Sequence, residues 1–98
     1  QDKIYQPDQV TKRARILQKP GPSYTDRARE AGVKGTVMLQ AVFGADGTVR
    51  SVDPISSLSG GLTEEAIRVA RMITFVPATI DGRPVSQYIK LEYRFDIY

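Results

Sequence analysis

The sequence predicts an α+β domain of two layers, in which a three-stranded antiparallel sheet carries two helices on one face. Two long stretches, 33–43 and 85–98, alternate apolar and polar residues, as expected of strands with one buried side. A third stretch, 61–73, repeats its apolar residues at helical spacing. Because each strand has only one apolar side, both helices are expected to cover the same face of the sheet.

Size and composition limit the function. The chain has 98 residues, of which 41% are hydrophobic and 26% charged, which suits one independently folding core. It contains no His and no Cys, and this excludes imidazole catalysis, thiol catalysis and Cys/His zinc sites. We therefore expect a protein without enzymatic activity, cofactor or metal. The net charge of +3 suits an acidic partner and simple solubility equally.

The first part of the chain differs from the rest. Residues 1–19 are polar, basic and interrupted by proline, and they predict a flexible basic arm or the end of a linker before a folded domain at 20–98. No apolar run approaches the roughly 20 residues needed to cross a bilayer, and the start at Gln1 suggests a fragment. Imperfect alternation at 10–17 allows a short strand, which we expect to cover an open sheet edge in the absence of a partner.

Both helices are predicted from local signals. The first spans 24–32, where Thr25 or Ser23 can cap the amino end and Gly32 suits the carboxyl end. The second spans 61–73 and places its apolar residues on one side, so it is expected to cover most of the core.

The strand order follows from the connections. Asp46-Gly47 favours a tight turn, so strand 33–43 and a return strand at 48–53 become antiparallel neighbours, and Pro54 is expected to end the return strand. A right-handed crossover through the second helix then lets strand 85–98 pair antiparallel with 33–43. The spatial order is 2-1-3, and the last strand lies at an edge.

An exposed edge strand offers unpaired N–H and C=O groups that recruit other strands. Charges of alternating sign occur on the outer face of this strand, at Lys90, Glu92, Arg94 and Asp96. They fit protection against aggregation as well as a docking surface. Pairing of this edge with its own copy is a further expectation, as a route to a homodimer.

Short motifs over most of the chain carry a resemblance to a known family. They are Pro22-Ser23-Tyr24, Asp26-Arg27-Ala28-Arg29, Gly32-Val33-Lys34-Gly35-Thr36-Val37, Ala45-Asp46-Gly47, Glu65-Ala66-Ile67, Phe75-Val76-Pro77-Ala78-Thr79 and Asp81-Gly82-Arg83-Pro84-Val85. In this order and spacing they resemble the TonB C-terminal domain, the periplasmic end of an energy transducer that serves outer-membrane receptors. The family commonly has Tyr-Pro where this chain has Tyr24-Thr25.

The resemblance implies binding by strand addition. In the family, a receptor segment called the TonB box adds as a strand to the exposed last strand of the domain, which then transmits force for active transport. The partner-binding residues implied here are Gln87, Tyr88, Ile89, Lys90, Leu91, Glu92, Tyr93, Arg94 and Phe95.

The same resemblance implies receptor contacts near the first helix. The candidates are Pro22, Ser23, Tyr24 and Arg27. Arg27 can pair with a receptor carboxylate, although a solvated helix residue beside Asp26 and Glu30 is the alternative. Within the last strand, Tyr93 shares the apolar side and is expected in the core, so Tyr88 is the better candidate to grip a partner.

The family context extends beyond this chain. It implies a periplasmic domain of an inner-membrane-anchored protein in a Gram-negative type envelope, coupled to an ExbB–ExbD-type motor through an N-terminal helix. Two alternatives remain open: a TonB-like interaction domain of another envelope protein, and a small basic nucleic-acid-binding domain. The cluster Lys12, Arg13 and Arg15 supports the latter. The aromatic strand motif of RNA-binding sheets is missing, so we expect no nucleic-acid partner.

Overall fold

In the computed structural model, which describes residues 3–96, the chain forms seven β-strands, two α-helices and one short 3₁₀ helix at Pro7–Gln9. The strands are β1 (Ile4–Tyr5), β2 (Arg15–Gln18), β3 (Gly35–Phe43), β4 (Val49–Ser56), β5 (Thr74–Val76), β6 (Ala78–Ile80) and β7 (Arg83–Phe95). The helices are α1 (Asp26–Glu30) and α2 (Leu62–Ala70). Gln1 and Asp2 of the predicted arm, and Ile97 and Tyr98 of the predicted last strand, lie outside the described residues.

The ladder between β3 and β7 forms the centre of the sheet. All nine residues of β3 pair antiparallel with β7, from Gly35 opposite Phe95 to Phe43 opposite Gln87. β4 pairs with the other side of β3, so the predicted order of the three long strands is confirmed. The predicted number of strands is wrong, because β1 and β6 also pair with β7 and make the sheet five-stranded. Strands of two and three residues are too short to show an alternating pattern in the sequence.

Pro54 does not end the return strand as predicted. It lies inside β4, which continues to Ser56. β4 is an edge strand, so a missing N–H can be tolerated there. The pairing with β3 also shifts register twice, and Ser51 has a φ of 45° beside one of these shifts. These irregularities are β-bulges, and they let the strand continue past a proline that cannot donate a hydrogen bond to a regular ladder.

The arm is paired at both ends. β1 runs parallel to the start of β7, while β2 pairs antiparallel with β5 in a separate two-stranded sheet. The expectation that the strand within 10–17 would cover the edge of the last strand is therefore wrong. Between β1 and β2, the N–H groups of Thr11 and Lys12 donate to the Thr79 carbonyl at 2.9 and 3.1 Å, and these bonds direct the arm toward β5 and β6.

Both helices cover one face of the sheet, as predicted. One apolar cluster joins them to β3 and β7, and its members are Ala28, Leu62, Ala66, Val69, Ala70, Val37, Leu39, Ala41, Phe43, Leu91, Tyr93 and Phe95, together with Val52, Ile73 and Phe75. The rings of Phe43 and Phe75 stack with centroids 4.1 Å apart. Both helices are shorter than predicted. No helix within residues 3–96 has the length and apolar character needed to span a membrane.

The loop before α2 packs closely against α1. Thr25 caps α1 by accepting a hydrogen bond from the Ala28 N–H at 3.1 Å, and its hydroxyl donates to the Gly60 carbonyl at 2.6 Å. Gly60 has a φ of +75°, and a Cβ on it would lie 2.7 Å from the Cβ of Ala28. Only glycine fits this contact, which fixes α1 over the sheet.

We expect Gly60→Ala to lower the free energy of unfolding more than Gly47→Ala. Gly47 has a similar φ of +87° but open space around it, so both variants carry left-handed strain while only Gly60→Ala adds a clash. The additional loss should be about 1–3 kcal/mol in urea unfolding. Equal losses in the two variants would show that the contact with Ala28 is unimportant.

Candidate functional site

One side of β7 is largely free. Its other side pairs with β3 at residues 87–95, whereas this side meets β1 at residues 86–87. From Tyr88 to Phe95, no strand among residues 3–96 pairs with it. At about 3.4 Å per residue, this free edge is roughly 25 Å long. It coincides with the predicted partner-binding residues, apart from Gln87.

Two carbonyl groups identify which residues face outward along the free edge. The Tyr88 carbonyl accepts a hydrogen bond from Gln87 Nε2 at 3.1 Å, and the Glu92 carbonyl accepts one from Lys19 Nζ at 3.0 Å. In a strand, the N–H and C=O of one residue point to the same side and alternate along the chain. Lys90, Glu92 and Arg94 therefore present their backbone groups to an added strand, and the carbonyl of Tyr88 faces the same side.

The side chains of the edge separate onto two faces. Leu91, Tyr93 and Phe95 are buried beneath the helices, and Tyr93 is in the core as predicted. Glu92 and Arg94 are exposed on the opposite face. On that face Tyr88, with Ile89 and Lys90, borders a cleft of about 350 Å³, whose other lining residues are Gln6, Pro7 and Gln40. An added strand would meet an apolar side and a charged side, and this contrast can set its register.

Gln87 is not free to bind a partner in this structure. It lies opposite Tyr5 in the pairing with β1, its own N–H and C=O face β3, and its side chain is buried. Its Oε1 accepts a hydrogen bond from the Ala14 N–H at 2.9 Å. Gln87 thus holds the arm and marks the point where the free edge begins.

Lys19 is a residue of the site that the sequence did not reveal. Besides its bond to the Glu92 carbonyl, its Nζ lies 4.6 Å from the ring centroid of Tyr93. The Tyr93 hydroxyl is buried without a hydrogen-bond partner among residues 3–96, and burial raises its pKa. Lys19 and Glu92 are 73 residues apart, so no local pattern could indicate this contact.

Tyr24 joins the predicted receptor-contact segment to the end of the free edge. Its ring packs edge-on against Phe95, with centroids 5.6 Å apart, and its hydroxyl donates to the Val33 carbonyl. The Arg29 guanidinium lies 5.5 Å from the Tyr24 ring centroid. The two groups of candidate residues therefore meet at the contact between Tyr24 and Phe95.

Arg27 is exposed on α1. It forms no ion pair with Asp26 or Glu30 in the described part of the chain. Its Nη2 lies 3.2 Å from the position that a Cβ on Gly61 would occupy. Pro22, earlier in the same segment, is half-buried. Arg27 can therefore meet an external carboxylate without breaking an internal salt bridge.

Glu65 fixes the backbone of Ser23. Its Oε2 accepts hydrogen bonds from the Ser23 N–H at 2.8 Å and from Arg68 Nη2 at 2.7 Å, and its Oε1 accepts one from Arg68 Nε at 3.0 Å. The bonds from Arg68, and then the bond from Ser23, lower the pKa of Glu65 from 4.5 to about 2. The ionised carboxylate ties the predicted receptor-contact segment to α2.

We expect Glu65→Gln to flatten the acid dependence of stability. Because folding lowers the pKa of Glu65, its contribution is complete above about pH 4.5 and is lost as the pH falls through 2. Between these values the wild type should lose stability more steeply than Glu65→Gln in urea unfolding. The Ser23 amide proton should also exchange faster in the variant.

Glu64→Gln is the matched control, because it removes the same charge from the exposed neighbouring position. It should leave the exchange of the Ser23 amide unchanged. If the wild type and Glu65→Gln showed the same acid dependence, the role assigned to Glu65 would be contradicted.

Comparisons of the sequence and the structure with known proteins agree with the fold described above. The sequence matches the family model described as the Gram-negative bacterial TonB protein C-terminal over residues 20–97. Protein TonB of Vibrio cholerae serotype O1 (strain ATCC 39315 / El Tor Inaba N16961) is 33% identical over 94 residues. That alignment covers 94% of this chain but only 38% of the relative's length. The solution NMR structure of the Pseudomonas aeruginosa TonB CTD superposes on this structure with a TM-score of 0.69 at 20% sequence identity. The superposition covers 86% of each chain. At this identity, the likeness supports the fold alone.

Proposed function

This chain belongs to the TonB C-terminal family, and we propose that it captures a short segment of an outer-membrane receptor as an added strand on β7. The observation that carries this proposal is the pairing of β7. It is bonded to β3 along one side, while residues 88–95 of the other side have no partner strand among residues 3–96. A strand added there would extend the sheet without disturbing the core.

Backbone bonds supply the attachment. The outward N–H and C=O groups of Lys90, Glu92 and Arg94 offer a regular series of donors and acceptors, and each hydrogen bond is worth about 0.5–1.5 kcal/mol net. A pull along the added strand loads these bonds together in shear. β7 passes the load to β3 through the full length of the β3 ladder. This arrangement suits a domain that transmits force.

The segment before α1 supplies a second contact. Arg27 is exposed and unpaired within residues 3–96, so it is available to a carboxylate of the receptor segment. Tyr24 supports the end of β7 through Phe95, and Pro22 and Ser23 lie directly before it. A segment that leaves the edge near Phe95 would pass close to these residues.

The wider proposal follows the family. The domain is periplasmic, belongs to an inner-membrane-anchored transducer, and receives energy from an ExbB–ExbD-type motor through parts of the protein outside this chain. Its receptor ligand is the TonB box. A second copy pairing through the same edge would compete with the receptor, so a homodimer and a receptor complex exclude each other.

We expect Lys90→Pro to weaken receptor-peptide binding about tenfold or more, which corresponds to the loss of at least one backbone hydrogen bond. Proline removes an N–H that faces outward, so the ladder to β3 keeps its bonds. The measurement is calorimetric titration with synthetic peptides copied from the N-terminal segments of outer-membrane receptors of the same genome.

Lys90→Ala is the matched control, since it removes the side chain and keeps the N–H. It should bind nearly as the wild type does, and equal binding by Lys90→Pro would contradict strand addition. If no receptor peptide binds the folded wild type at millimolar concentration, the proposed receptor is wrong, and the same edge would serve another envelope protein.

We also expect Lys19→Met to bind the receptor peptide about 1.4- to fivefold more tightly than the wild type, since exposed polar contacts of this kind are worth about 0.2–1 kcal/mol. An added strand needs the Glu92 carbonyl that Lys19 Nζ occupies at 3.0 Å. Lys34→Met, at an exposed position outside this contact, controls for the lost charge. Equal affinities of the two variants would mean that Lys19 does not compete with the partner.

A further inference from the structure

A second surface lies between the arm and the turn that joins β5 to β6. Here a cleft of about 580 Å³ is lined by basic and apolar side chains. The lining residues that matter are Lys12, Arg13, Arg15, Val76 and Pro77. We call this the basic cleft. Strand capture on β7 does not use it.

The basic cleft is held by backbone bonds of the arm. Besides the two bonds that the Thr79 carbonyl accepts, the Thr79 N–H donates to the Lys12 carbonyl at 2.9 Å. The Asp81 N–H donates to the Thr11 hydroxyl at 3.1 Å, and Arg13 Nε donates to the Pro7 carbonyl at 3.2 Å. The cations are therefore carried on a segment that the fold positions.

The charge of the basic cleft is uncompensated. Lys12, Arg13 and Arg15 are exposed, and none forms a salt bridge within residues 3–96. No acidic side chain is among the described residues that line the cleft. Such a surface attracts a negatively charged ligand and accelerates its association.

Exposed apolar residues lie beside these cations. Ile16 and Leu17 belong to β2, Val76 belongs to β5, and Met72 precedes β5 by two residues. Among residues 3–96, one other large hydrophobic residue, Ile55, is exposed to a comparable extent. Arg15 is opposite Val76 in the pairing of β2 with β5. Val76 therefore adds an exposed apolar side chain next to the positive charge of Arg15, and exposed apolar groups of this kind occur at interaction surfaces.

The backbone of β2 favours an extended ligand. β2 pairs with β5 in a two-stranded sheet, and no other strand in the described part of the chain pairs with either. The outer edge of β2 therefore offers unpaired backbone groups beside the cations and Leu17.

We propose that the basic cleft and β2 form a second docking surface, which binds an extended segment of a partner protein that carries acidic and apolar residues on the same face of the segment. Acidic side chains would meet Lys12 and Arg15, apolar ones would cover Leu17 and Val76, and the backbone would pair with β2. A polyanion without apolar groups would leave the exposed apolar side chains uncovered. This surface is separate from the free edge of β7, so an experiment can contradict either binding proposal without affecting the other.

The test is an NMR titration of the full 98-residue chain with a capped decapeptide that repeats Glu-Glu-Val-Val, so that each face of the extended peptide carries both residue types. Amide shifts are expected at residues 11–18 and 74–82. Lys12→Gln/Arg15→Gln should weaken binding roughly fivefold, as expected for two exposed charge pairs of about 0.5 kcal/mol each. Lys34→Gln/Arg71→Gln, which removes the same charge from exposed positions elsewhere, should bind as the wild type does.

A second pair of variants tests the apolar part. Leu17→Ser should weaken binding, whereas Ile55→Ser should not, although the two residues are 55% and 54% exposed. Polyglutamate that binds the same residues as tightly as the decapeptide would overturn the proposal in favour of a simple polyanion site. Binding to phosphatidylglycerol vesicles without peptide binding, or peptide shifts confined to 88–95, would overturn it too.

Discussion

The antiparallel ladder between β3 and β7 is the constraint on which the other features of the domain depend. Its register places Leu91, Tyr93 and Phe95 in the core. A slip of one residue would exchange them for Lys90, Glu92 and Arg94, which cannot be buried without a large loss of free energy. The same register decides which backbone groups of β7 point away from β3. The core and the free edge are thus determined together.

A free edge of this length invites aggregation, and the structure limits that risk without closing the edge. β1 covers only its beginning, at residues 86–87. Beyond that point, the side-chain amide of Gln87 and the ammonium group of Lys19 donate hydrogen bonds to two outward carbonyls. These are single hydrogen bonds that a partner strand can replace, unlike a paired strand that would have to leave as a unit. The edge is protected in the free protein and remains accessible.

The parts of the fold that the sequence predicted are those with a repeated pattern. Alternation identified β3 and β7, helical spacing identified α2, and the turn at Asp46-Gly47 gave the order of the long strands. β1 and β6 were missed because strands of two or three residues carry no period. The pairing of β2 and the contact of Lys19 with Glu92 depend on how distant segments approach each other. The prediction that Pro54 ends the return strand was wrong because a bulged edge strand can contain a proline, whereas a central strand needs every backbone N–H for its hydrogen bonds.

Backbone amide hydrogen exchange, measured residue by residue with and without a receptor peptide, tests the central claim most directly. In the free protein, the N–H groups of Ile89, Leu91 and Tyr93 should be protected by β3, while those of Lys90, Glu92 and Arg94 exchange quickly. A bound receptor segment should protect the second set and leave the first unchanged. Protection that arises elsewhere, with Lys90, Glu92 and Arg94 still exchanging quickly in the complex, would contradict strand capture on β7.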